Sequence, residues 1–412
     1  MRCSYFDAGV CRSCTFLDQP YPAQVAAKQA RCAEALASVG AADVGPVARV
    51  LAEAGASPRG ADTSHLTWLE PWANRPFGFR NRAKMVVAGT AQDPTLGILD
   101  PTGRGIDLRA CPLHEQPILD ALPHVADLIR RCGLQPYDVP RRRGELKHVL
   151  VTVSPDGELM LRFVLRSERQ LPQLTEHLPR LLDALPHLRV VTANLLPEHK
   201  AVLEGEREIH LAGEATLPMR IDHLTLHLRP QGFFQTCTDA AAALYRQATE
   251  WVDAAAGAAS APDSHPFTIW DLYCGVGGFG LFAAGPGRRV TGVETSAEAV
   301  AAATRTAGDL GLPAGAVEFV AADATAWVRE QAARGVAPDL VVLNPPRRGI
   351  GAELCAWIED APVGRAIYSS CHLDSLVADL RRMPSWTVRT GRLVDMFPHT
   401  AHQEVIVELV RS

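Results

Sequence analysis

The sequence lacks any run of about 18 or more apolar residues, the length that a membrane-spanning helix needs. The first residues, Met1 to Phe6, contain no apolar signal core. Internal repeats and long low-complexity tracts are absent as well. We therefore expect a globular protein of the cytoplasm that has no membrane partner.

An excess of one charge is also missing, since 41 Lys and Arg residues against 46 Asp and Glu residues give a formal net charge of −5. This balance argues against a protein that coats nucleic acid non-specifically, but it is compatible with a local basic groove. A chain of 412 residues, 47% of them hydrophobic, can form two or three domains with a sizeable core. We expect a monomer.

The central pattern is a strand that breaks into glycines. The apolar run 268–272 is followed by Gly275, Gly277 and Gly278, and an apolar helix is expected from residue 279. Glycines at such a turn let backbone N–H groups and a helix N-terminus approach a ligand closely. The next strand, 289–293, ends in Glu294, whose carboxylate is placed to accept hydrogen bonds from ribose hydroxyls. Together these features predict an adenosine pocket.

Three interpretations of this turn compete. A glycine-rich turn alone also fits a tight turn in any α/β domain, although the acid at the next strand end weakens that alternative. A nicotinamide dinucleotide site fits poorly, because Asp271 and Cys274 crowd the turn and no substrate domain follows. An S-adenosylmethionine methyltransferase fits better.

Ten cysteines in a cytosolic chain favour metal binding over disulfides. Cys3, Cys11 and Cys14 are spaced C-x7-C-x2-C, and Cys111, followed by a proline, is a fourth candidate. Four thiolates can hold zinc or an iron–sulfur cluster. The spacing leaves both open, together with free thiols, and predicts that Arg12 and its neighbour Ser13 donate to the sulfurs.

Three basic clusters mark the middle of the chain, at residues 78–87, 141–148 and 160–166. In the last of these, Arg162 and Arg166 are expected to point outward from an alternating strand. Cations beside an aromatic ring suit a nucleic-acid backbone, whereas each cluster alone also fits a solvated sheet face. Gln235 follows two aromatics at the end of this region, where its amide is placed to reach a cofactor, to cap a helix or to pack in the core.

Three later residues carry the candidate chemistry. Asn344 follows a buried strand and precedes two prolines, so we expect it at the carboxyl end of a sheet, where ligands bind. Cys371 follows the next strand and is a candidate nucleophile, and Glu404 begins the last strand. A lone Glu404 also fits a solvated charge. A thiolate and a base on opposite sides of a flipped uracil would allow methylation of its C5 carbon.

These motifs resemble the RNA uracil-C5 methyltransferases, which act on tRNA and 23S rRNA, and most closely the members that act on 23S rRNA. The resemblance runs over nearly the whole chain and rests on CSYFDAGVCRSCTFLDQPYPAQ, FGFRNRAKMVV, RRRGELKHVLVT, LRFVLRS, RPQGFFQT, WDLYCGVGGFGL, VLNPPRRGIG, IYSSC and DMFPHTAHQEV. It implies S-adenosylmethionine as methyl donor and a flipped uridine of 23S rRNA as substrate. The same chemistry on tRNA or on another rRNA uridine, and a non-enzymatic iron–sulfur RNA-binding protein, are the alternatives.

The resemblance also implies roles for individual residues. Cys371 would be the nucleophile and Glu404 the base that removes the C5 proton. The cofactor would be bound by Gln235, Tyr273, Glu294 and Asn344. A [4Fe-4S] cluster would be held by Cys3, Cys11, Cys14 and Cys111.

The expected organisation has three parts. Residues 1–65 form an iron–sulfur region that includes a surface insertion at 40–65, and residues 66–230 form an α+β RNA-facing domain. Residues 231–412 form an α/β, Rossmann-like class I methyltransferase domain, with a linker expected at 254–265. The chain departs from the pattern of the family at Gly232, where serine is common, and at His372, where asparagine is common.

Overall fold

The computed structural model describes residues 3–40, 66–200, 202–259 and 265–411. The chain divides into two compact units. The first unit contains Met1–Thr15 and Arg75–Thr238, and the second contains Phe16–Asn74 and Asp239–Ser412. Residues 41–65 of the predicted insertion and 260–264 of the predicted linker lie outside the described residues.

The strands are numbered along the chain. They are Thr67–Trp68 (β1), Arg82–Gly89 (β2), Pro94–Leu99 (β3), Gly105–Asp107 (β4), Leu146–Val153 (β5), Leu159–Leu165 (β6), Leu188–Leu195 (β7), Arg207–Gly213 (β8), Leu217–Ile221 (β9), Leu224–Leu228 (β10), Phe267–Leu272 (β11), Arg288–Glu294 (β12), Val317–Ala321 (β13), Leu340–Leu343 (β14), Arg365–Ser370 (β15), Trp386–Val394 (β16) and Glu404–Arg411 (β17).

The α-helices are numbered in the same way. They are Ser4–Asp7 (α1), Tyr21–Gly40 (α2), Gln116–Cys132 (α3), Leu171–Ala184 (α4), Thr238–Ala259 (α5), Gly278–Ala283 (α6), Ala297–Asp309 (α7), Ala324–Ala333 (α8), Gly351–Asp360 (α9) and Leu373–Leu380 (α10). Residues 254–259, predicted as linker, are therefore the last turns of α5. No helix within the described ranges is both long and apolar enough to cross a membrane.

The first unit is built on a seven-stranded sheet in the order β4-β3-β2-β5-β6-β7-β8. Neighbouring strands are antiparallel except β6 and β7, which are parallel and connected through α4. Helix α3 buries Ile118, Leu122, Val125 and Ile129, which recur every three or four residues and so form one stripe. These side chains share an apolar cluster with strand residues such as Phe163. The helices therefore cover one face of the sheet.

Strand β6 does not present Arg162 outward as the sequence predicts, whereas Arg166 follows the strand and is half-buried. All seven of its residues are buried, and Arg162 is only 2% exposed. Its Nε donates to Glu208 Oε1 at 2.7 Å, and its terminal nitrogens contact Glu204 and Glu208. The prediction was wrong for Arg162 because acidic side chains from outside β6 neutralise it. An alternating pattern reveals the faces of a strand but not what covers each face.

The second unit is built on an eight-stranded sheet in the order β1-β16-β17-β15-β14-β11-β12-β13. Strands β11 to β15 pair in parallel, whereas β17 runs antiparallel to both β15 and β16. The carboxyl ends of β11, β12, β14 and β15 therefore meet at one edge, and β17 begins at that same edge. The strand order reverses between β11 and β14, which is the position where open α/β sheets bind ligands.

Helix α2 belongs to the second unit, although its sequence lies in the predicted iron–sulfur region. Val25, Cys32 and Leu36 on one side of the helix are buried in the cluster that contains Tyr368 of β15 and Val405 of β17. Cys3, Cys11 and Cys14, by contrast, lie in the first unit together with Cys111. The packing of apolar side chains thus separates residues that are neighbours in the sequence.

Replacing Arg162 with methionine should lower the free energy of unfolding by about 3–5 kcal/mol, because it leaves the two carboxylates close together without their cation. The matched control is Arg141→Ala, which breaks an ion pair whose arginine is 81% exposed and should cost less than about 1 kcal/mol. Chemical denaturation measures both values. Equal losses would contradict a stabilising role for the buried network.

Candidate active site

The turn after β11 is held in an unusual backbone conformation. Tyr273, Gly275 and Gly277 have φ angles of 65°, 55° and 82°, in the left-handed region that non-glycine residues rarely adopt. A Cβ at Gly277 would lie 2.8 Å from the ring of Phe319, whereas one at Gly275 would meet no atom within 4 Å. Gly277 is therefore required by packing, and Gly275 faces open space.

Glu294 ends β12 beside this turn. Its Oε2 accepts a hydrogen bond from the backbone N–H of Gly275 at 3.2 Å. Its Oε1 accepts from Ser296 N at 3.0 Å and from Thr295 Oγ1 at 2.9 Å. The carboxylate is thus fixed next to the open side of the glycine turn, and its role in an adenosine pocket stays a prediction.

Asp271, near the end of β11, is a buried carboxyl group to which the sequence assigned no function. It is 0% exposed, and its Oδ2 accepts from Gly280 N at 2.8 Å. Its Oδ1 has no hydrogen-bond partner among the described residues. Burial, with a smaller contribution from the neighbouring Glu294, raises the pKa of Asp271 to about 7, although the hydrogen bond from Gly280 opposes the shift.

Asn344 follows β14 and joins two neighbouring strands. Its backbone N–H donates to Leu272 O at 3.4 Å, and its side-chain Nδ2 donates to Ser369 O at 3.2 Å. The half-buried side chain therefore lies at the carboxyl edge, between the end of β11 and the end of β15.

Cys371 and Glu404 lie at this same edge. Ser370, the last residue of β15, pairs with Val405 of the antiparallel β17, so each of the two candidate residues adjoins one member of that pair. Ser369 Oγ donates to Glu404 Oε1 at 2.8 Å. Cys371 is half-buried, and Glu404 is 2% exposed. The fold brings together the sulfur and the carboxylate that the sequence predicts as partners.

The electrostatics of this pair are set by burial and by each other. Burial raises the pKa of Glu404 to about 7, although the bond from Ser369 opposes the shift. Burial and the Glu404 charge raise the pKa of Cys371, while a hydrogen bond and the positive charge of Arg347 act in the opposite direction. Arg347 therefore favours the thiolate form that nucleophilic attack needs.

The loop that carries Arg347 is held by α10. Ser375 Oγ donates to Arg347 O at 2.6 Å. Asp379 Oδ2 accepts from Ile350 N at 2.8 Å and from Tyr368 Oη at 2.8 Å. Sequence reasoning missed Arg347, Ser369 and Asp379. Two signals in the sequence could have indicated the first two residues: a pair of arginines follows Asn-Pro-Pro, and a pair of serines precedes Cys371. No sequence pattern marks Asp379.

A cavity of about 590 Å³ opens beside Cys371. Its walls include Arg31 from α2, together with His372, His402 and Gln403. His372 is one of the two departures from the family pattern, and its Nδ1 accepts from Ser375 N at 3.3 Å as the N-cap of α10. An asparagine would offer the same kind of acceptor, so the substitution preserves the cap.

Gln235 belongs to the first unit, and the other predicted cofactor residues belong to the second. It is half-buried, and its backbone carbonyl accepts from Asn81 Nδ2 at 3.0 Å. Its contact with a cofactor stays a prediction. At Gly232, the second departure, a Cβ would approach Arg229 O and Leu228 Cδ1 to 3.1 Å each, which leaves little room for the serine of relatives.

The four predicted metal-binding cysteines lie in the first unit as half-buried free thiols. Among the described residues, no group of three or more Cys, His, Asp or Glu side chains is arranged to hold one metal ion. The sulfurs are nevertheless close enough to interact, because the pKa of Cys14 is raised to about 11 by burial and by the charges of Cys111, Cys11 and Cys3.

A half-buried cation, Arg80, lies near these cysteines. Arg80 interacts electrostatically with Cys111 and Cys14, and its buried Nε has no hydrogen-bond partner among the described residues. An unpaired buried donor fits an anionic centre made of thiolates. Arg12, which the sequence predicted as a donor to the sulfurs, instead lies over the ring of Phe6 at 4.3 Å, and the thiol of Cys11 donates to Ser13 Oγ at 3.6 Å.

The predicted basic clusters divide into two groups. Arg141, Arg142 and Arg143 are exposed, as a nucleic-acid contact requires. Arg82 is half-buried, and burial lowers its pKa to about 10 while its Nε donates to Thr152 Oγ1 at 3.0 Å. The first cluster is therefore partly internal, and only part of the expected basic surface is available to a ligand.

A comparison with solved structures identifies the fold. The crystal structure of Pyrococcus abyssi tRNA (uracil-54, C5)-methyltransferase in complex with S-adenosyl-L-homocysteine matches 97% of this chain and 86% of its own, with a TM-score of 0.72 and 21% identity. Together with the strand order, the match defines the class of protein. The chain has the α/β fold of S-adenosylmethionine-dependent methyltransferases, as the sequence predicts.

Curated relatives identify the family. A 23S rRNA (uracil(747)-C(5))-methyltransferase RlmC from Serratia proteamaculans is 44% identical over 413 residues, and one from Halothiobacillus neapolitanus is 43% identical over 414 residues. Each match covers 100% of both chains. The chain therefore belongs to the RlmC family of 23S rRNA (uracil(747)-C5)-methyltransferases, which confirms the family resemblance. A search against protein-family models gave no match.

Replacing Glu404 with glutamine should stabilise the protein increasingly as the pH rises. The raised pKa means that the folded state binds the Glu404 proton more tightly than the unfolded state, so wild-type stability falls between about pH 4.5 and 7. The stability difference between variant and wild type should grow by roughly 2–3 kcal/mol from pH 5 to pH 8. Urea denaturation at both pH values measures this difference. Asp271 is present in both proteins, so its contribution cancels in the difference. A difference independent of pH would contradict the buried-carboxyl assignment.

Proposed function

We propose that the protein transfers a methyl group from S-adenosylmethionine to C5 of a uridine in 23S rRNA, uracil 747, through a covalent adduct with Cys371. The observation that supports this most directly is the placement of Cys371 and Glu404 at one sheet edge, joined through Ser369. The names of the curated relatives supply the substrate.

The chemistry of uracil explains why two such residues are needed. C5 of uracil is too weak a nucleophile to attack a sulfonium methyl group directly. The thiolate of Cys371 adds to C6, and the electron pair of the C5–C6 double bond then makes C5 nucleophilic. C5 bonds to the methyl group as the bond between that group and the sulfonium sulfur breaks, which leaves S-adenosylhomocysteine. Glu404 then takes the C5 proton, the double bond re-forms and the C6–S bond breaks. Cys371 leaves as a thiolate, and the enzyme is restored once Glu404 has released its proton to solvent.

The environment of Glu404 suits a base of this kind. With a pKa of about 7, the carboxylate is strong enough to accept a carbon-bound proton and is still ionised in part of the population at neutral pH. The Ser369 hydroxyl orients one of its oxygens. Arg347 supports the other half of the reaction by favouring the thiolate of Cys371.

The methyl donor would bind at the carboxyl edge of the second-unit sheet. Glu294 is fixed there by Gly275, and Asn344 and Tyr273 adjoin the same strand ends. We propose that these three residues bind S-adenosylmethionine, together with Gln235 as the family resemblance implies. S-adenosylmethionine supplies an electrophilic methyl group on sulfur, and the residues of the chain orient it.

We also propose that Cys3, Cys11, Cys14 and Cys111 hold a [4Fe-4S] cluster. The mutual electrostatic interaction of the four thiols and the unpaired Nε of Arg80 support an anionic centre at this position. A four-iron cluster separates its thiolate ligands more widely than a single ion does, which is compatible with the absence of a single-ion site among the described residues. The cluster would tie the N-terminal segment to Cys111 and has no step in the methylation.

The proposal also includes how the protein contacts RNA, its oligomeric state, its location and a second candidate substrate. The exposed Arg141–Arg143 cluster supports contact with the RNA backbone. We propose that the protein acts as a monomer in the cytoplasm. The same chemistry on tRNA is the second candidate, because the structural neighbour is named as a tRNA enzyme.

The variant Glu404→Gln should accumulate a methylated protein–RNA adduct, because elimination of Cys371 needs the C5 proton removed. The measurement uses S-adenosylmethionine labelled in its methyl group, a 23S rRNA fragment containing uracil 747, and denaturing gel electrophoresis. Label should migrate with the protein for this RNA and not for tRNA.

Cys371→Ala is the matched control, since it should give neither methylated RNA nor adduct while its affinity for S-adenosylmethionine stays within about two-fold. Retained methylation by this variant would rule out the covalent route. An adduct with tRNA alone would favour the second candidate substrate.

Anaerobically purified protein should contain about four irons per chain if the four cysteines hold one cubane cluster. Cys14→Ala should lose most of this iron and its visible absorbance. Cys132→Ala, which truncates a thiol buried in the apolar cluster of the first unit, should retain both. Zinc in place of iron, or equal iron in the two variants, would contradict the assignment.

A further inference from the structure

Helix α2 carries a polar stripe that the proposed chemistry does not use. Tyr21, Gln24, Lys28 and Arg31 are separated by three, four and three residues, which places them on one face of the helix. The side of the helix next to this stripe is apolar and packed in the core through Val25, Cys32 and Leu36. All four polar side chains bond to the segment 395–403, which connects β16 to β17 and ends immediately before Glu404.

Lys28 makes the most buried of these contacts. Its side chain is 2% exposed, and its Nζ donates to Asp395 Oδ1 at 2.7 Å and to Phe397 O at 2.9 Å. Tyr21 Oη donates to the other carboxylate oxygen of Asp395 at 2.9 Å. Asp395 is 0% exposed, so a buried ion pair anchors the start of the segment.

Gln24 fixes the middle of the segment. Its Oε1 accepts from His399 N at 2.9 Å, and its Nε2 lies 3.2 Å from His399 Nδ1. His399 is buried and has a φ angle of 65°, a conformation that a non-glycine residue keeps only when its surroundings impose it. Phe16 N also donates to His399 O at 2.9 Å.

Arg31 reaches the end of the segment. Its Nη2 donates to Ala401 O at 2.5 Å and to the side-chain oxygen of Gln403, the residue before Glu404. Successive contacts of the stripe therefore fall on residues 395, 397, 399, 401 and 403. The helix holds alternate residues of an irregular segment along its whole length.

We propose that Lys28 is a positioning residue for the methylation: through Asp395 and Phe397 it holds the segment 395–403 in the shape that places Glu404 beside Cys371. The inference rests on the proposed function. Among the described side chains, only the Ser369 hydroxyl donates to the carboxylate of Glu404, and the backbone of Glu404 begins β17, where it pairs with Val394 of β16. The segment 395–403 connects these two paired residues, so its path helps to set where the carboxylate lies. A buried lysine–carboxylate pair often adds no more stability than apolar residues of similar volume would. Stability alone therefore does not explain why Lys28 is buried here.

The test compares the wild type with the double variant Lys28→Met/Asp395→Asn. The double variant removes both charges together, keeps an oxygen that accepts from Tyr21, and avoids the unpaired buried carboxylate of Lys28→Met alone. Its melting temperature should therefore stay near that of the wild type. The donor to Phe397 O is lost, which we expect to let the start of the segment shift and move the carboxylate of Glu404, although the contacts of Gln24 and Arg31 remain.

We expect proton removal to become the slow step in the double variant. With the labelled donor and the 23S rRNA fragment, methylated protein–RNA adduct should accumulate as it does in Glu404→Gln, and kcat should fall about 100-fold, the order of effect of a misplacement near 1 Å. KM for S-adenosylmethionine should change less than about two-fold. Leu36→Ala is the matched control, because it truncates a buried side chain of the same helix that does not contact the segment. It should lower the melting temperature without adduct accumulation.

The outcomes separate the inference from the proposed function. If the double variant turns over like the wild type while Glu404→Gln still traps an adduct, the positioning role of Lys28 is wrong and the chemistry stands. Loss of methylation without adduct, or adduct accumulation in Leu36→Ala as well, would also overturn it, because either result points to general damage of the site. If Glu404→Gln forms no adduct and Cys371→Ala still methylates RNA, the proposed function fails and the inference fails with it.

Discussion

The antiparallel pairing of β17 with β15 is the constraint on which the candidate site depends. Because β17 is antiparallel to β15, its first residue, Glu404, lies at the edge of the sheet where β15 ends and Cys371 follows. A parallel β17 would place Glu404 at the opposite edge, about 20 Å away for a strand of six residues. The Ser369 hydroxyl then connects the carboxylate to the strand that carries the thiol. One reversal of strand direction thus creates a two-residue site.

Burial raises the pKa of both Glu404 and Cys371, which helps the base but hinders the nucleophile. The same low-polarity surroundings that make Glu404 basic enough to remove a proton from carbon disfavour the thiolate of Cys371, and the two negative charges oppose each other. Arg347 offsets part of this on the side of the sulfur. Its loop is in turn bonded to Asp379 and Ser375 of α10. The charge balance of the site therefore depends on two connections of the sheet, the one after β14 that carries Arg347 and the one after β15 that contains α10.

Buried polar networks recur in both units and have the same effect on local geometry. In the first unit Arg162 joins β6 to acidic residues at and near β8, and in the second Lys28 joins α2 to the segment before β17. Each cation is almost completely enclosed and paired with carboxylates. Such pairs often contribute no more to stability than apolar residues of similar volume would, but their hydrogen bonds have defined directions and so orient the groups that they connect. The irregular segment next to Glu404 is where that restriction matters most.

The sequence by itself determined the methyltransferase motifs, the ends of the strands that carry Asn344, Cys371 and Glu404, and the family, because glycine turns, apolar periodicity and strand-end residues are local signals. It did not reveal Ser369 as a link, the burial of Arg162, or the association of α2 with the catalytic strands. Lys28 and Asp395 are 367 residues apart in the chain. Only the tertiary structure decided these contacts, since the burial and pairing of a polar group depend on distant elements that no local pattern encodes.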